Sequence, residues 1–238
     1  MDKNTKPLGA RIGEGTFCVL YLVFIFIAAM MLRNGSKLVN DPDSFRLDYI
    51  KLSFGYGLAI LLGVGDSFHL IPRIIYNFHG SLPKKDFLFG LGNLISSITM
   101  TIYYDVLIGL GDSLEYNENM YNFDIEQAIL ILGVIRFIIL LLPQNRWYSG
   151  EENVRWAIIR NIPFALIGIL TVIGYLNVIN YADNYPVSLY VQIIIAVILS
   201  FAFYLPVAIK GKSNPKLGML MIPKTLCYIW MIVVVWIY

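Results

Sequence analysis

Seven long apolar stretches occupy most of this 238-residue chain and constrain its fold more than any other feature. The first stretch runs from Phe17 to Leu32 without a charged residue. A helix needs about 20 mostly apolar residues to cross the hydrocarbon core of a bilayer. Hydrophobic residues make up 58% of the chain and charged residues 14%, against about 25% charged residues in an average soluble domain. This composition predicts an all-α, polytopic integral membrane protein.

The stretches predict seven transmembrane helices. We place the spans near residues 14–33, 52–78, 87–109, 124–147, 154–180, 186–209 and 217–238. The alternating pattern of a membrane β-barrel is absent from the sequence, and a helix satisfies its own backbone hydrogen bonds in lipid. Little chain remains between the spans, so we expect residues 1–238 to form a single transmembrane helical-bundle domain.

Lysine and arginine are distributed unevenly among the connections, which indicates how the helices are oriented. The N-terminal segment and the 79–86, 148–155 and 210–216 turns all carry basic residues. The 110–126 loop, on the opposite side, carries acidic residues and no basic one. The 33–51 loop is discordant, because it places basic residues on that opposite side. We predict a cytoplasmic N-terminus, a C-terminus outside, and location in the plasma membrane.

A proline recurs near the end of every second helix. Pro72, Pro143 and Pro206 each follow apolar residues and precede a short polar, basic turn. Proline near a helix end frees a backbone carbonyl and can kink the helix. We therefore expect one helix followed by three hairpins of one kind, in which the first helix of each hairpin ends at its proline.

Two charged residues are predicted to lie deep in the membrane. Asp66 falls near the middle of the second span and Arg136 near the middle of the fourth. An ionisable side chain at the bilayer centre costs at least about 2.5–3.5 kcal/mol, so it usually has a partner or a function. We predict that Asp66 and Arg136 face inward and form an ion pair.

Further polar residues accompany Asp66. His69 and Arg73 follow it at i+3 and i+7, which places the three side chains on one face of the second helix. The residues expected to face them from other helices are Asn93, Ser97, Arg136, Arg160, Asn161 and Lys224. Together these residues predict a polar pocket that opens to the cytoplasm. Its basic residues outnumber Asp66, so a phosphate, a carboxylate or a lipid headgroup would balance the charge.

A purely structural interpretation of the same residues is also open. Asp66 and Arg136 would then form a buried pair that fixes the register of two helices, without a ligand. Arg73, Arg160 and Lys224 lie close enough to the inner interface to extend toward lipid phosphates.

One segment resembles a known family. Gly65-Asp66-Ser67-Phe68, followed by the Phe87–Gly92 sequence FLFGLG, is similar to the first half of the YhhN-type family of small membrane proteins, which includes lysoplasmalogenases. The resemblance covers about 45 residues and implies that Asp66 corresponds to the first acid of the family. The second half of the chain contains no matching Gly-Asp or Ser-Asp within a helix.

Three functions are compatible with the predicted pocket. The first is the binding or transport of a small anionic or amphipathic molecule near the middle of the membrane. The alternative is a membrane-embedded, lysoplasmalogenase-like lipid hydrolase, in which Asp66 and His69 activate water and Arg136 or Lys224 holds a phosphate. The third is a scaffold or sensor bundle without a ligand.

The expected partners are the lipid bilayer and the small ligand. No basic block with interleaved aromatic residues suggests nucleic acid. Only one histidine, His69, lies in a span, which is too few for a site with several histidine ligands. We therefore expect no metal and no cofactor.

Overall fold

The computed structural model describes residues 8–38, 46–115, 122–149, 153–210 and 215–238, and in these residues it is helical without strands. The α-helices are α1 (Leu8–Leu38), α2 (Arg46–His79), α3 (Lys85–Leu114), α4 (Asn122–Leu141), α5 (Val154–Asn180), α6 (Val187–Lys210) and α7 (Met221–Ile237). Two 3₁₀ helices, Pro143–Asn145 and Pro215–Leu220, follow α4 and precede α7. The predicted all-α class is confirmed.

Some residues used to predict the orientation lie outside this description. They are Lys3, Lys6, Lys212 and the segments 39–45, 116–121 and 150–152. The predicted orientation of the helices stays a prediction.

Six of the described helices are long and apolar enough to cross a membrane, namely α1, α2, α3, α5, α6 and the segment Leu217–Ile237 around α7. This indicates a multi-pass membrane protein. The helix outside this set is α4, which carries Asp124, Glu126 and Arg136 within 20 residues. α4 is as apolar as most of the other six helices, and it falls outside the set because it carries three charged residues.

The predicted fourth span, 124–147, is longer than the helix that forms. α4 ends at Leu141, and Leu142 has an extended backbone with φ −67° and ψ 136°. The next residue is Pro143, and a residue that precedes proline is disfavoured in the helical conformation. The chain then turns through the 3₁₀ helix Pro143–Asn145.

The other two prolines do not end their helices, so that part of the hairpin prediction is wrong. Pro72 lies inside α2, which continues to His79, and Pro206 lies inside α6, which continues to Lys210. Membrane helices tolerate an internal proline because neighbouring groups compensate for the freed carbonyl. Here the carbonyl that Pro72 frees belongs to Phe68, and it lies against Gly92 of α3, where a Cβ atom would overlap it.

Each helix packs mainly against its neighbours in the sequence, and the last helix also contacts the first. α2 packs between α1 and α3, α4 packs on α3 and α5, and α6 packs between α5 and α7. α7 also contacts α1 and α2, and α3 contacts α5 directly. The helix that separates α2 from α4 is therefore α3, and this decides how the predicted site residues are distributed.

Tyrosines fill much of the interior around α3. The rings of Tyr103 and Tyr104 are fully buried and contact each other edge to face. Tyr104 shares hydrogen bonds with Ser200 of α6 and Tyr228 of α7, at 3.1 and 3.5 Å between oxygens. A tyrosine buried among helices usually needs such a partner for its hydroxyl.

Candidate functional site

The carboxylate of Asp66 is bound by hydroxyl groups from two neighbouring helices. Tyr21 of α1 donates to Oδ2 at 2.6 Å, and Ser96 of α3 donates to Oδ1 at 3.2 Å. The aspartate is half-buried and Tyr21 is buried. Hydroxyl donors stabilise a carboxylate where water is scarce, so the side chain is held in place without a cation in contact.

His69 and Arg73 follow Asp66 along α2, as predicted from their spacing. The Nδ1 atom of His69 is buried and has no hydrogen-bond partner among the described residues, while the Asn93 side chain of α3 is its polar neighbour. Arg73 is half-buried, and the charge of Glu14 on α1 interacts with it. Asp66 and His69 therefore share a face of α2, and His69 keeps an unused polar atom.

Ser97 was predicted to face Asp66, but the hydroxyl that contacts this carboxylate is that of the preceding residue, Ser96. The hydroxyl of Ser97 donates to the backbone oxygen of Asn93 at 2.7 Å, a bond within α3. The hydroxyl that reaches Asp66 is that of Ser96. One position along a helix is a rotation of about 100°, which is enough to exchange the two roles.

Arg136 is buried within the bundle, with an exposed fraction of 2%. Its Nη1 atom donates to Oγ1 of Thr101 at 2.9 Å, and its Cζ atom lies 3.7 Å from the ring centroid of Phe164 on α5. The Nε atom is buried without a hydrogen-bond partner among the described residues. Burying a guanidinium is costly unless its donors are satisfied, and here they are satisfied only in part.

The predicted ion pair between Asp66 and Arg136 is wrong. Asp66 binds Ser96 and Arg136 binds Thr101, both on α3. Five residues along a helix correspond to about 140° of rotation and about 7.5 Å of rise, so the two hydroxyls face opposite sides of α3. The helix itself therefore separates the carboxylate from the guanidinium.

Lys224 of α7 lies against two tyrosine rings. Its Nζ atom is 4.5 Å from the ring centroid of Tyr204 and 5.4 Å from that of Tyr228. It is near enough to both Asp66 and Arg136 for their charges to interact with its own. In the described structure it forms no ion pair with Asp66, and aromatic rings are its direct contacts.

The two predicted residues of α5, Arg160 and Asn161, are buried, and Arg160 is near enough to Arg136 for their charges to interact. Arg160 donates from Nη1 to Oδ1 of Asn145 at 3.3 Å and stacks over the Trp147 ring at 4.4 Å. Asn161 accepts a hydrogen bond from the hydroxyl of Tyr204 at 2.7 Å. Arg160 is thus tied to the turn after α4, whereas Asn161 positions an aromatic ring beside Lys224.

The predicted residues therefore lie in two groups on the two sides of α3. We call Asp66, His69, Tyr21, Ser96 and Asn93 the aspartate group. We call Arg136, Thr101, Phe164, Tyr204 and Lys224 the arginine group. Five residues of the two groups were not among the predicted site residues, namely Tyr21, Ser96, Thr101, Phe164 and Tyr204. Hydroxyl and aromatic residues are common in apolar helices, and the sequence does not show which of them bind a polar group and which only pack.

A shallow apolar groove of about 490 Å³ runs along the outside of the bundle near the aspartate group. Its lining residues are Phe17, Leu20, Tyr21, Val23, Phe24 and Ile27 of α1 and Ile229 of α7. Tyr21 thus contributes to the groove on the outside while its hydroxyl binds Asp66 on the inside.

A second buried charge, Glu115, lies at the end of α3, with an exposed fraction of 1%. Its carboxylate accepts hydrogen bonds from the backbone N–H groups of Asp183, Asn184 and Tyr185, at 2.8–3.2 Å. The hydroxyl of Tyr190 donates to the same carboxylate at 2.6 Å. Four donors therefore fix the turn between α5 and α6 against α3.

The same turn is also attached to the start of α2. The hydroxyl of Tyr185 donates to Oδ1 of Asp48 at 2.8 Å, and Lys51 pairs with that oxygen at 2.9 Å. Burial, together with the hydrogen bond to Asp48, raises the pKa of Tyr185 well above its ordinary value. The tyrosine therefore stays neutral and keeps donating its proton to Asp48 across the physiological pH range.

No protein-family model, curated protein or solved structure matches this chain.

Proposed function

We propose that this chain is a membrane protein of seven spans whose interior binds or transports a small anionic or amphipathic molecule. In this proposal the N-terminus is cytoplasmic and the C-terminus is outside, and residues 1–238 form one bundle domain in the plasma membrane. The lipid bilayer and the small ligand are its partners.

The observation that carries the proposal is the environment of Arg136 and Lys224. Both are cations within the helical bundle, and among the described residues neither contacts a carboxylate. The acid whose charge reaches Lys224 is Asp66, which two hydroxyls already bind. Uncompensated positive charge inside a membrane protein is unfavourable, and an anionic ligand would reduce that cost.

The surface of α4 supports its inclusion as a seventh span. Large apolar side chains follow one another at helical spacing along its outward face and are exposed, namely Leu130, Ile131, Val134, Ile135, Ile138 and Leu141. An exposed apolar stripe of this length is unfavourable in water and favourable against lipid. The inward face of α4 holds Arg136, so the helix combines a lipid-facing surface with a contribution to the site.

Reconstitution into liposomes tests this proposal. We expect purified protein in proteoliposomes to accumulate at least one anion from a panel of labelled small carboxylates and phosphates. Asp66→Asn and Arg136→Met are each expected to abolish uptake, whereas Arg11→Lys, in a residue bound to backbone oxygens at the end of α2, retains it. If the Asp66→Asn, Arg136→Met double variant folds and transports as the original chain does, the proposal is wrong.

A second candidate is the membrane-embedded lipid hydrolase. The apolar groove favours it, because Tyr21 joins a surface suited to an acyl chain with the carboxylate of Asp66. Asp66 and His69 would activate water on the inner side of Tyr21, and Lys224 would hold the phosphate. The unused Nδ1 atom of His69 is the polar atom available for proton transfer.

Product release distinguishes the hydrolase from the transporter. Purified protein in detergent is incubated with lysophospholipids, and the released fatty acid or aldehyde is measured by mass spectrometry. A hydrolase loses this release with His69→Phe, whereas a transporter without hydrolytic activity shows no release with either chain.

A further inference from the structure

The Arg136 guanidinium has one edge that no described residue uses. Its Nη1 atom is bound to Thr101, and the Phe164 ring covers one of its faces. Its Nε atom is buried without a hydrogen-bond partner, and no hydrogen bond from Nη2 is found among the described residues. The N–H groups of Nε and Nη2 point in the same direction and form a fork that can donate to the two oxygens of a planar carboxylate.

The surroundings of this fork favour a singly charged group. Among the described residues, aromatic rings lie against both cations: Phe164 against Arg136, and Tyr204 and Tyr228 against Lys224. A second negative charge on the ligand would cost more to desolvate among these rings than a single charge does. The charges that interact at Lys224 are its own, that of Arg136 and that of Asp66; they sum to one positive charge, which one negative charge balances.

Arg160 does not alter this argument. It is a neighbouring cation, but its guanidinium is directed to Asn145 and Trp147, at the turn that follows α4. The fork of Arg136 and the nearby Lys224 are therefore the groups that a ligand would meet in the arginine group.

We propose that the ligand of the arginine group is a monocarboxylate, and that Nε and Nη2 of Arg136 bind its two oxygens side-on. This inference rests on the proposed function and narrows the class of anion. Thr101 and Phe164 act as positioning residues, since they hold the guanidinium so that its free edge faces the ligand.

Binding of matched small molecules tests the inference. Purified protein in detergent is titrated with sodium benzoate, sodium octanoate, phenyl phosphate and neutral benzamide, and dissociation constants are measured by calorimetry. We expect a carboxylate to bind saturably and benzamide to bind at least about tenfold more weakly, because a charge-assisted bidentate contact is worth that factor or more. This comparison uses the unaltered chain, so it holds even if a variant fails to fold.

Conservative variants then identify the fork as the binding group. Arg136→Lys keeps the charge and loses the planar fork, and we expect it to weaken carboxylate binding about tenfold or more. Arg11→Lys is the matched control, because it makes the same change in an arginine that binds backbone oxygens elsewhere, and we expect no change.

The failures of the two proposals are distinguishable. If phenyl phosphate binds more tightly than either carboxylate and Arg136→Lys weakens it, the monocarboxylate inference is overturned while an anion site stands. If benzamide binds with the same dissociation constant as benzoate, the side-on contact is overturned. The same holds if Arg136→Lys and Arg11→Lys bind the carboxylate equally well. If none of the anions binds, the inference falls, and uptake in proteoliposomes decides the proposed function separately.

Discussion

Glu115 lies at the end of α3 and Arg136 lies within α4, and each of these charged side chains is almost completely buried. Four donors surround the carboxylate of Glu115, three of them consecutive backbone N–H groups. Among the described residues, Arg136 has one hydrogen bond, to Thr101, and the ring of Phe164 lies against its guanidinium. The bonding capacity of Glu115 is used within the fold, whereas that of Arg136 is used only in part, and the proposed ligand would use the remainder.

The largest effect on stability is expected at Glu115. Glu115→Ala leaves three backbone N–H groups of one turn and the Tyr190 hydroxyl without their acceptor, and we expect it to lower the free energy of unfolding by about 3 kcal/mol or more. Unfolding by SDS in mixed micelles measures this. Asp124→Ala, in an exposed acid of α4, is the control. Equal effects of the two variants would mean that Glu115 does not fix the turn.

A smaller loss is expected when one of the four donors is removed. Tyr190→Phe deletes the hydroxyl that donates to Glu115 at 2.6 Å and retains the ring. A hydrogen bond to a charged group contributes about 1.5–3 kcal/mol, so we expect a loss of about 2 kcal/mol in the same unfolding experiment. If Tyr190→Phe lowers the free energy of unfolding as much as Glu115→Ala does, the backbone donors contribute nothing to stability. Glu115 would then depend on one hydrogen bond, as Arg136 does.

The helices could be predicted from the sequence because lipid imposes a length and an apolar composition on every span. The prediction placed α5 at residues 154–180, which are its observed bounds. The prediction that α2 ends at Pro72 failed, because tertiary packing and not the local sequence decides where this helix ends. α2 continues past Pro72, and the carbonyl of Phe68 that the proline frees lies against Gly92 of α3.

The site was less predictable, for two physical reasons. Depth in the membrane can be counted along the sequence, but the direction in which Asp66 and Arg136 point depends on how α2 and α4 are rotated against α3. The sequence places Glu115 only among the acidic residues of the 110–126 loop. Its structural role could not be predicted, because three of its donors are backbone N–H groups 68 to 70 residues later in the chain and every residue except proline carries such a group.

On the Arg136 side, the single hydrogen bond is expected to matter less than any bond of Glu115. Thr101→Val removes the acceptor of Nη1 and retains the shape of the side chain. We expect a loss of about 1 kcal/mol, below the usual range for a hydrogen bond that involves a charged group, because the guanidinium can donate to another acceptor nearby. A loss as large as that of Tyr190→Phe would show that Thr101 is essential for burying the charge.

The smallest effect on stability is expected for Arg136 itself, although its side chain is among the largest fully buried ones. Arg136→Met fills a similar volume and removes a charge whose desolvation is only partly compensated, so the free energy of unfolding should stay within about 0.5 kcal/mol or rise. Thr101 keeps its own bond to the backbone oxygen of Ser97 at 2.9 Å in the variant. Unfolding in SDS measures the stability, and carboxylate binding measured on the same sample should be lost. If Arg136→Met lowers the free energy of unfolding as much as Glu115→Ala does, Arg136 stabilises the fold in the same way as Glu115. The proposed difference in role between these two buried residues would then be wrong.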